Sequence, residues 1–407
     1  MLKNRSFVGL LLAELVSLTG SSMTFVALPW FVLVTTGSTA RMGWVLAAEL
    51  LPVGLFGLPA GTVVARLGAK RTMLVSDAAR GPLMAVIPIL WWTHHLSFAA
   101  LLAIAFAVGI FAAPYFSSSR LIIPEVVGED ERLVAQGNAI LGGGNMITQI
   151  AGPVLAGVLI AATSPATVLV VDGATYVFSF LTIAAVVRAG RRVDETPESK
   201  GVLAGLRFLF RDSLLGPVMA VAVVLNFTAQ GLIIGVQGLA YFRYDQSAHV
   251  AGFLFGAFGI GALLGSIVAQ QVAQKADLLK LVAVSIVAMP LPLWLLGISM
   301  PWAAAMVVIA AFAFFTPLVN APMIGILTMR TPASLRPKVM TAVMTLSSVA
   351  GPLGFLAAGE SLRFISVTTL FLFVAAGMTA LALLFAAVVL RNRAAPDVVA
   401  VPDVAHG

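Results

Sequence analysis

The chain has 407 residues, 60% of them hydrophobic and 10% charged, whereas a soluble domain carries about a quarter charged residues, so the composition excludes an ordinary water-soluble fold. The net charge of +7 comes from bases at the ends of apolar runs and not from one polar face, which argues against nucleic acid as a partner. With no cysteine, a disulfide framework, a thiolate nucleophile and a Cys-ligated metal are all excluded.

Apolar runs of about 20 residues, the length that crosses a bilayer as a helix, recur from end to end. The ~10-residue alternating strands of a barrel are absent from the pattern, so an all-α integral membrane protein is predicted. Its expected spans are 7–35, 42–65, 72–92, 98–119, 136–162, 166–188, 214–241, 249–273, 279–298, 302–328, 339–359 and 365–390. The first follows Lys3 and Arg5 and ends near Ser38-Thr39-Ala40, yet it exceeds the roughly 7 to 15 apolar residues of a signal peptide and contains Glu14, Pro29 and Trp30.

A compact basic turn, Gly61 to Arg71, joins the second and third spans, and its order of Gly, Val, Ala, Ala and base recurs from Gly265 to Lys275 between the eighth and ninth. Pro114 in the fourth span matches Pro317 in the tenth, and Gly152-Pro153 in the fifth matches Gly351-Pro352 in the eleventh. Membrane helices are rich in Gly and Pro in any case, which explains each position alone; the joint recurrence points to two similar halves. The polar interval from Ala189 to Asp212 separates six spans from six. The chain therefore divides into an N-terminal bundle at 1–188, a cytoplasmic linker at 189–212, a C-terminal bundle at 213–393 and a disordered cytoplasmic tail at 394–407.

Bases fix the orientation. Lys3, Arg5, Lys70, Arg71, Arg132, the linker bases, Lys275, Lys280, Arg330, Arg336, Lys338, Arg391 and Arg393 share one side, against chiefly Arg41, Arg243 and Arg363 on the other. Both termini are thereby expected in the cytoplasm.

Helical spacing gathers polar residues into stripes. Glu14, Ser17, Ser21 and Thr24 recur at three and four residues in the first span, and Asn226, Gln230, Gln237 and Tyr241 do so in the seventh. The fourth span offers Tyr115, Ser118 and Ser119, and the tenth Thr316, Asn320 and Met323, each set close to a proline. Two readings stay open for them, a substrate cavity or hydrogen bonds between helices that only stabilise the bundle. Glu14 carries the most weight, because an ionised carboxylate two turns inside a bilayer helix costs about 2.5 kcal/mol or more unless paired, solvated or protonated. It is expected to carry a proton across, or else to attract cations or pair with a neighbour. Glu49 is an entrance acid or alternative proton site, or a structural one. Asp77 and Arg80, three apart, suit a pair that holds the cytoplasmic gate or serves locally. Asp172, near the start of the sixth span, is expected to cap or anchor it, and His94 and His95 to be solvated.

The turn Gly61 to Arg71 resembles the cytoplasmic signature of the major facilitator superfamily, with Gly61, Arg66, Gly68 and Arg71 in place and Ala65 where the family has an acid. The segments Leu28-Pro29-Trp30, Leu58-Pro59-Ala60-Gly61, Asp77-Ala-Ala-Arg80 and Asp172-Gly-Ala-Thr175-Tyr176 resemble its bacterial drug-efflux branch, which includes macrolide and enterobactin exporters. Gly152, Pro153 and Gly157 resemble the antiporter motif of the fifth helix. The resemblance implies twelve transmembrane helices in two pseudo-symmetric six-helix bundles, a midplane cavity lined by the first, fourth, seventh and tenth helices, and gating roles for the signature and the fifth-helix Gly-Pro. It also implies a monomer in the bacterial inner membrane, a multi-pass protein without a cofactor that exchanges protons for a small-molecule substrate across the lipid bilayer.

No Gly-rich, Lys-Ser/Thr phosphate loop is present, so ATP is not the expected driver. The weakly charged, aromatic- and Met-containing cavity suits amphipathic drugs, antibiotics or siderophore-like compounds better than sugars. Alternatives are a facilitator or importer without proton exchange, a membrane-embedded lipid-modifying enzyme, and a non-transporting receptor. The enzyme is disfavoured, because the intramembrane ionisable residues make no Ser-His-Asp, His-acid or metal-ligand set.

Overall fold

The computed structural model describes residues 4–128, 130–188, 207, 215–273, 277–331 and 335–393. The expected linker, apart from Arg207, and the expected tail lie outside them. Among the described residues, twelve α-helices follow in order: α1 (Arg5–Thr36), α2 (Thr39–Leu67), α3 (Ala69–Trp92), α4 (Phe98–Val127), α5 (Glu131–Ala162), α6 (Pro165–Val186), α7 (Leu215–Phe242), α8 (Ala248–Ala273), α9 (Leu278–Ala288), α10 (Trp302–Arg330), α11 (Arg336–Ser361) and α12 (Val367–Arg393).

Local chemistry sets several boundaries. Asn4, Ser38, Ser97, Asp130, Ser164 and Asp277 stand at helix N-caps, where each side chain accepts a backbone amide of the first turn. The basic turn is tighter than its composition suggests: only Gly68 separates α2 from α3, at φ +82°, a left-handed value that a residue without Cβ adopts freely. The ninth expected span is broken. Pro290 and Pro292 lack the amide hydrogens an α-helix needs, so α9 ends at Ala288 and Leu291–Gly297 continues as a 3-10 helix.

Among the described residues, eleven segments are long and apolar enough to cross a membrane, with α9 and its 3-10 continuation forming one of them. The remaining helix, α11, is of similar length at 26 residues. Its Ser, Thr and Gly content lowers its hydropathy, and it packs against α2 and α7, so not all of that polarity faces lipid.

The two halves repeat one packing scheme. α1 packs on α5 and α6, α2 on α4, and α3 on α4 and α6; α7 packs on α11 and α12, α8 on α10, and α9 on α10 and α12. Adding six to each helix of the first set gives the second, as duplicated bundles related by a pseudo-twofold require. The bundles meet where α2 lies on α11 and α5 on α8, two contacts that the same operation exchanges.

Glycines allow both meetings. A Cβ on Gly43 of α2 would lie 3.3 Å from the Cα of Gly359 in α11, and one on Gly157 of α5 would lie 2.9 Å from the Cα of Gly252 in α8. Both crossings lie toward the face opposite the N terminus. There Thr39 Oγ1 also donates to the Gly359 carbonyl at 3.1 Å, and Trp44 Nε1 donates to Glu360 Oε1 at 3.2 Å. The exposed tryptophans Trp44, Trp91, Trp92, Trp294 and Trp302 lie at this same end of their segments, at the level of an interfacial aromatic belt.

Candidate functional site

Three aromatic and polar contacts seal the space between the bundles just inside these crossings. Phe25 of α1 meets Phe255 of α8 edge-on at 5.9 Å between ring centroids, and Trp30 meets Tyr241 of α7 at 6.1 Å. Gln237 of α7, fully buried, donates to the Val26 carbonyl at 3.3 Å.

From this seal toward the N-terminal face, cavities follow one another. One, about 440 Å³, is walled by Ser21 and Phe25 of α1, Asn145 and Gln149 of α5, and Phe255 and Phe258 of α8. A second, about 230 Å³, lies in the C-terminal bundle and shares Leu232, Ile233 and Phe258 with the first. It brings together Asn226 and Gln230 of α7 with Thr316, Asn320 and Met323 of α10. The hydroxyl of Thr316 is buried with no hydrogen-bond partner among the described residues. A third, about 40 Å³, holds Glu14 of α1 with Tyr115, Ser119 and Arg120 of α4, and it shares Leu18, Phe116 and Asn145 with the first. Glu14 is 6% exposed, and its Oε1 has no partner among the described residues.

A polar core fills the interior of the N-terminal bundle. Asp77 and Arg80 of α3 form a buried ion pair at 2.7 Å, and Ser179 Oγ of α6 donates to Asp77 Oδ2 at 2.6 Å. The Arg80 guanidinium lies 4.3 Å from the ring centroids of both Tyr115 and Tyr176, in cation–π range. The pair therefore ties α3 to α4 and α6 within one bundle. Tyr176 Oη in turn meets Ser21 Oγ at 2.9 Å.

The polar stripe of α1 turns out to serve different neighbours. Ser21 reaches the large cavity and Glu14 the small one, while Ser17 is buried and its carbonyl accepts from Ser21. Thr24 turns to α6, where its hydroxyl donates to Asp172 at 2.6 Å. Gln237 belongs to the seal, Ser118 is fully buried in α4, and Glu49 is half-buried in α2 with its carbonyl against Gly109 of α4. In the signature, Gly61 lies in α2, Gly68 forms the turn, and Arg66 and Arg71 are exposed on either side of it. A Cβ on Gly152 would meet Ser22 and, at 3.2 Å, the Thr19 carbonyl of α1, and the Pro153 carbonyl lies against Gly252. The Gly-Pro step thus marks where α5 touches both α1 and the other bundle.

One expectation needs correction. Asp172 does not cap α6: Ser164 does, accepting from the Thr167 amide at 3.2 Å, and Asp172 lies two turns in and fully buried. Sequence reasoning also missed Asn145 and Gln149, which are hydrogen-bonded to each other at 3.0 Å on the cavity wall. The available signal was their spacing of four, in one stripe with Pro153.

A family model described as "Major Facilitator Superfamily" matches residues 10–234. Among curated proteins, the chain is 26% identical over 365 residues to the multidrug efflux pump Tap of Mycolicibacterium fortuitum, covering 86% of this chain and 87% of the relative. Among solved structures, the nucleoside transporter NupG superposes with a TM-score of 0.78 at 14% identity, over 94% of this chain and 98% of NupG. The D-xylose-proton symporter gives a TM-score of 0.70 at 13% identity, over 93% and 96%.

Proposed function

The chain belongs to the major facilitator superfamily, and we propose that it is a proton-coupled antiporter exporting amphipathic small molecules across the bacterial inner membrane by alternating access. The observation that carries this reading is the cavity between two pseudo-symmetric bundles, sealed toward one face by Phe25, Phe255 and Gln237 and joined on the other side to a pocket holding a buried carboxylate, Glu14. The efflux pumps among its relatives support export, and the distribution of bases supports a cytoplasmic N-terminal face. In that orientation the seal faces outward, and the cavities collect substrate from the cytoplasm or the inner leaflet.

The walls select by chemistry. Phenylalanines of α1, α4 and α8 offer apolar surface, and the carboxamides of α5, α7 and α10 offer a few fixed hydrogen bonds, a combination that suits bulky apolar or cationic molecules. Glu14 exchanges a proton for the substrate. With the bundles closed outward it releases the proton to the cytoplasmic side and frees the site; with the seal open it is reloaded and substrate departs.

The test is efflux of a drug panel from cells making the wild type and Glu14→Gln under an imposed pH gradient, with proton release measured in reconstituted vesicles. The wild type is expected to export members of the panel and to release protons with them, and Glu14→Gln to lose gradient-driven efflux while keeping substrate exchange without a gradient. Normal gradient-driven efflux by the mutant would remove Glu14 from the mechanism, and export without proton movement by the wild type would favour a facilitator.

A further inference from the structure

Asp172 is completely buried at the contact of α6 with α1. Thr24 Oγ1 donates to its Oδ2 at 2.6 Å, and the Thr175 hydroxyl, which donates to the Asp172 backbone carbonyl at 2.7 Å, lies 3.2 Å from its Oδ1. Gly20, one turn before Thr24, leaves no room between the helices: a Cβ there would collide with Asp172 Oδ1 and Thr175 Oγ1. The charged and titratable groups facing Asp172 are Arg80 and Asp77 from α3, Glu49 from α2 and Tyr176 one turn further along α6, whereas α5 has no charged side chain at this level. Arg80 is already engaged by Asp77 and by the rings of Tyr115 and Tyr176. Asp172 is thus held by hydroxyls and not by a paired cation, and intramembrane carboxyls in such settings mark proton relays.

Its connections run in two directions. Toward the sealed face, Thr24 is followed along α1 by Phe25 and Val26, which contact Phe255 and Gln237 of the other bundle. Toward the cavity, Tyr176 stands one turn along α6 from Asp172 without a direct hydrogen bond to it among the described residues; it meets Ser21 at 2.9 Å, and Ser21 forms part of the cavity wall. We propose that Asp172 is a second proton site of the transport cycle, loaded from the outer side when Phe25 and Phe255 part, and unloaded into the central cavity through Tyr176 and Ser21. This rests on the antiport reading above. On loading, one proton from solution forms one O–H bond on the carboxylate. On unloading, that proton passes by way of the two hydroxyls to cavity water, and the carboxylate is restored.

Infrared difference spectra of the purified protein in lipid nanodiscs, recorded through a pH titration, test the site without a substrate. The wild type is expected to show protonated-carboxyl bands that titrate, Asp172→Asn to lose one of them, and Glu14→Gln to lose a different one. Tyr176→Phe keeps the Asp172 band but slows its response to a pH jump at least about tenfold, because a relay hydroxyl is gone; a purely packing role for Tyr176 would leave that rate unchanged. With any compound the wild type exports in vesicles, Asp172→Asn should release about half as many protons per substrate as the wild type. An unchanged band set in Asp172→Asn, an unchanged rate in Tyr176→Phe, or an unchanged proton count would overturn the second site. Wild-type export without proton release, with the titrating bands intact, would instead bring down the antiport reading and this proposal with it.

Discussion

The two bundles share one packing scheme and differ in charge. Inside the helices of the N-terminal bundle lie Glu14, Glu49, Asp77, Arg80 and Asp172, whereas the ionisable residues described in α7 to α12 all fall within about one turn of a helix end. The C-terminal bundle puts carboxamides, a threonine and methionines at the depth where its counterpart puts acids. A duplicated frame therefore differs in its lining: one copy holds ionisable side chains, and the other presents a neutral polar surface. Under the antiport proposed above, substrate and proton would be handled in adjoining spaces instead of competing for every group.

Mutations break or sharpen that contrast. The largest effect is expected from Arg80→Met, which leaves Asp77 as a buried unpaired acid and removes the stack between Tyr115 and Tyr176; it should cost about 3–5 kcal/mol, read as a large fall in thermal stability in detergent. Loss of a similar size from Asn320→Leu, whose side chain lies on a cavity wall, would contradict the division. Next comes Gly252→Val, which forces α8 away from α5 and should shift the sealed state by about tenfold, roughly 1.4 kcal/mol. Spin labels on cysteines introduced at the sealed face of this cysteine-free chain would report the distance change. Gly43→Val should do the same at α2 and α11, and a response at only one crossing would show that the pseudo-twofold does not extend to the gate.

A smaller effect is expected from Gln230→Leu. Losing one hydrogen-bonding amide in the neutral cavity should weaken substrate binding about three- to tenfold while leaving the pH profile and the protons released per substrate untouched. A changed pH profile would mean that the C-terminal bundle takes part in proton handling after all. The smallest is Glu360→Gln, which loosens the exposed contacts to Trp44 and Arg363 and should leave transport within about twofold of the wild type.

Much of this was legible in the sequence, and the failures share one cause. Span count, duplication and the polar faces of α7 and α10 follow from hydropathy and spacing, and Asn226, Gln230, Thr316, Asn320 and Met323 do share a cavity. Spacing shows which residues lie on one face of a helix but not which neighbour that face meets. In a bundle helix surrounded by protein the difference decides everything: the stripe of α1 divides among a large cavity at Ser21, a small pocket at Glu14 and the α6 contact at Thr24. Asp172 was given the wrong role for a related reason: the start of α6 is expected within a residue of Pro165, but spacing does not show that Asp172, two turns in, faces Thr24 of α1.

The single glycine between α2 and α3 has a mechanical consequence. A one-residue link leaves almost no slack between two long rigid rods, one gripped by α11 at the closed gate and the other carrying the Asp77–Arg80 pair. The end of the first cannot shift without carrying the start of the second, while the freedom of glycine lets the angle between them change, so one residue is the hinge between the sealed crossing and the charged interior.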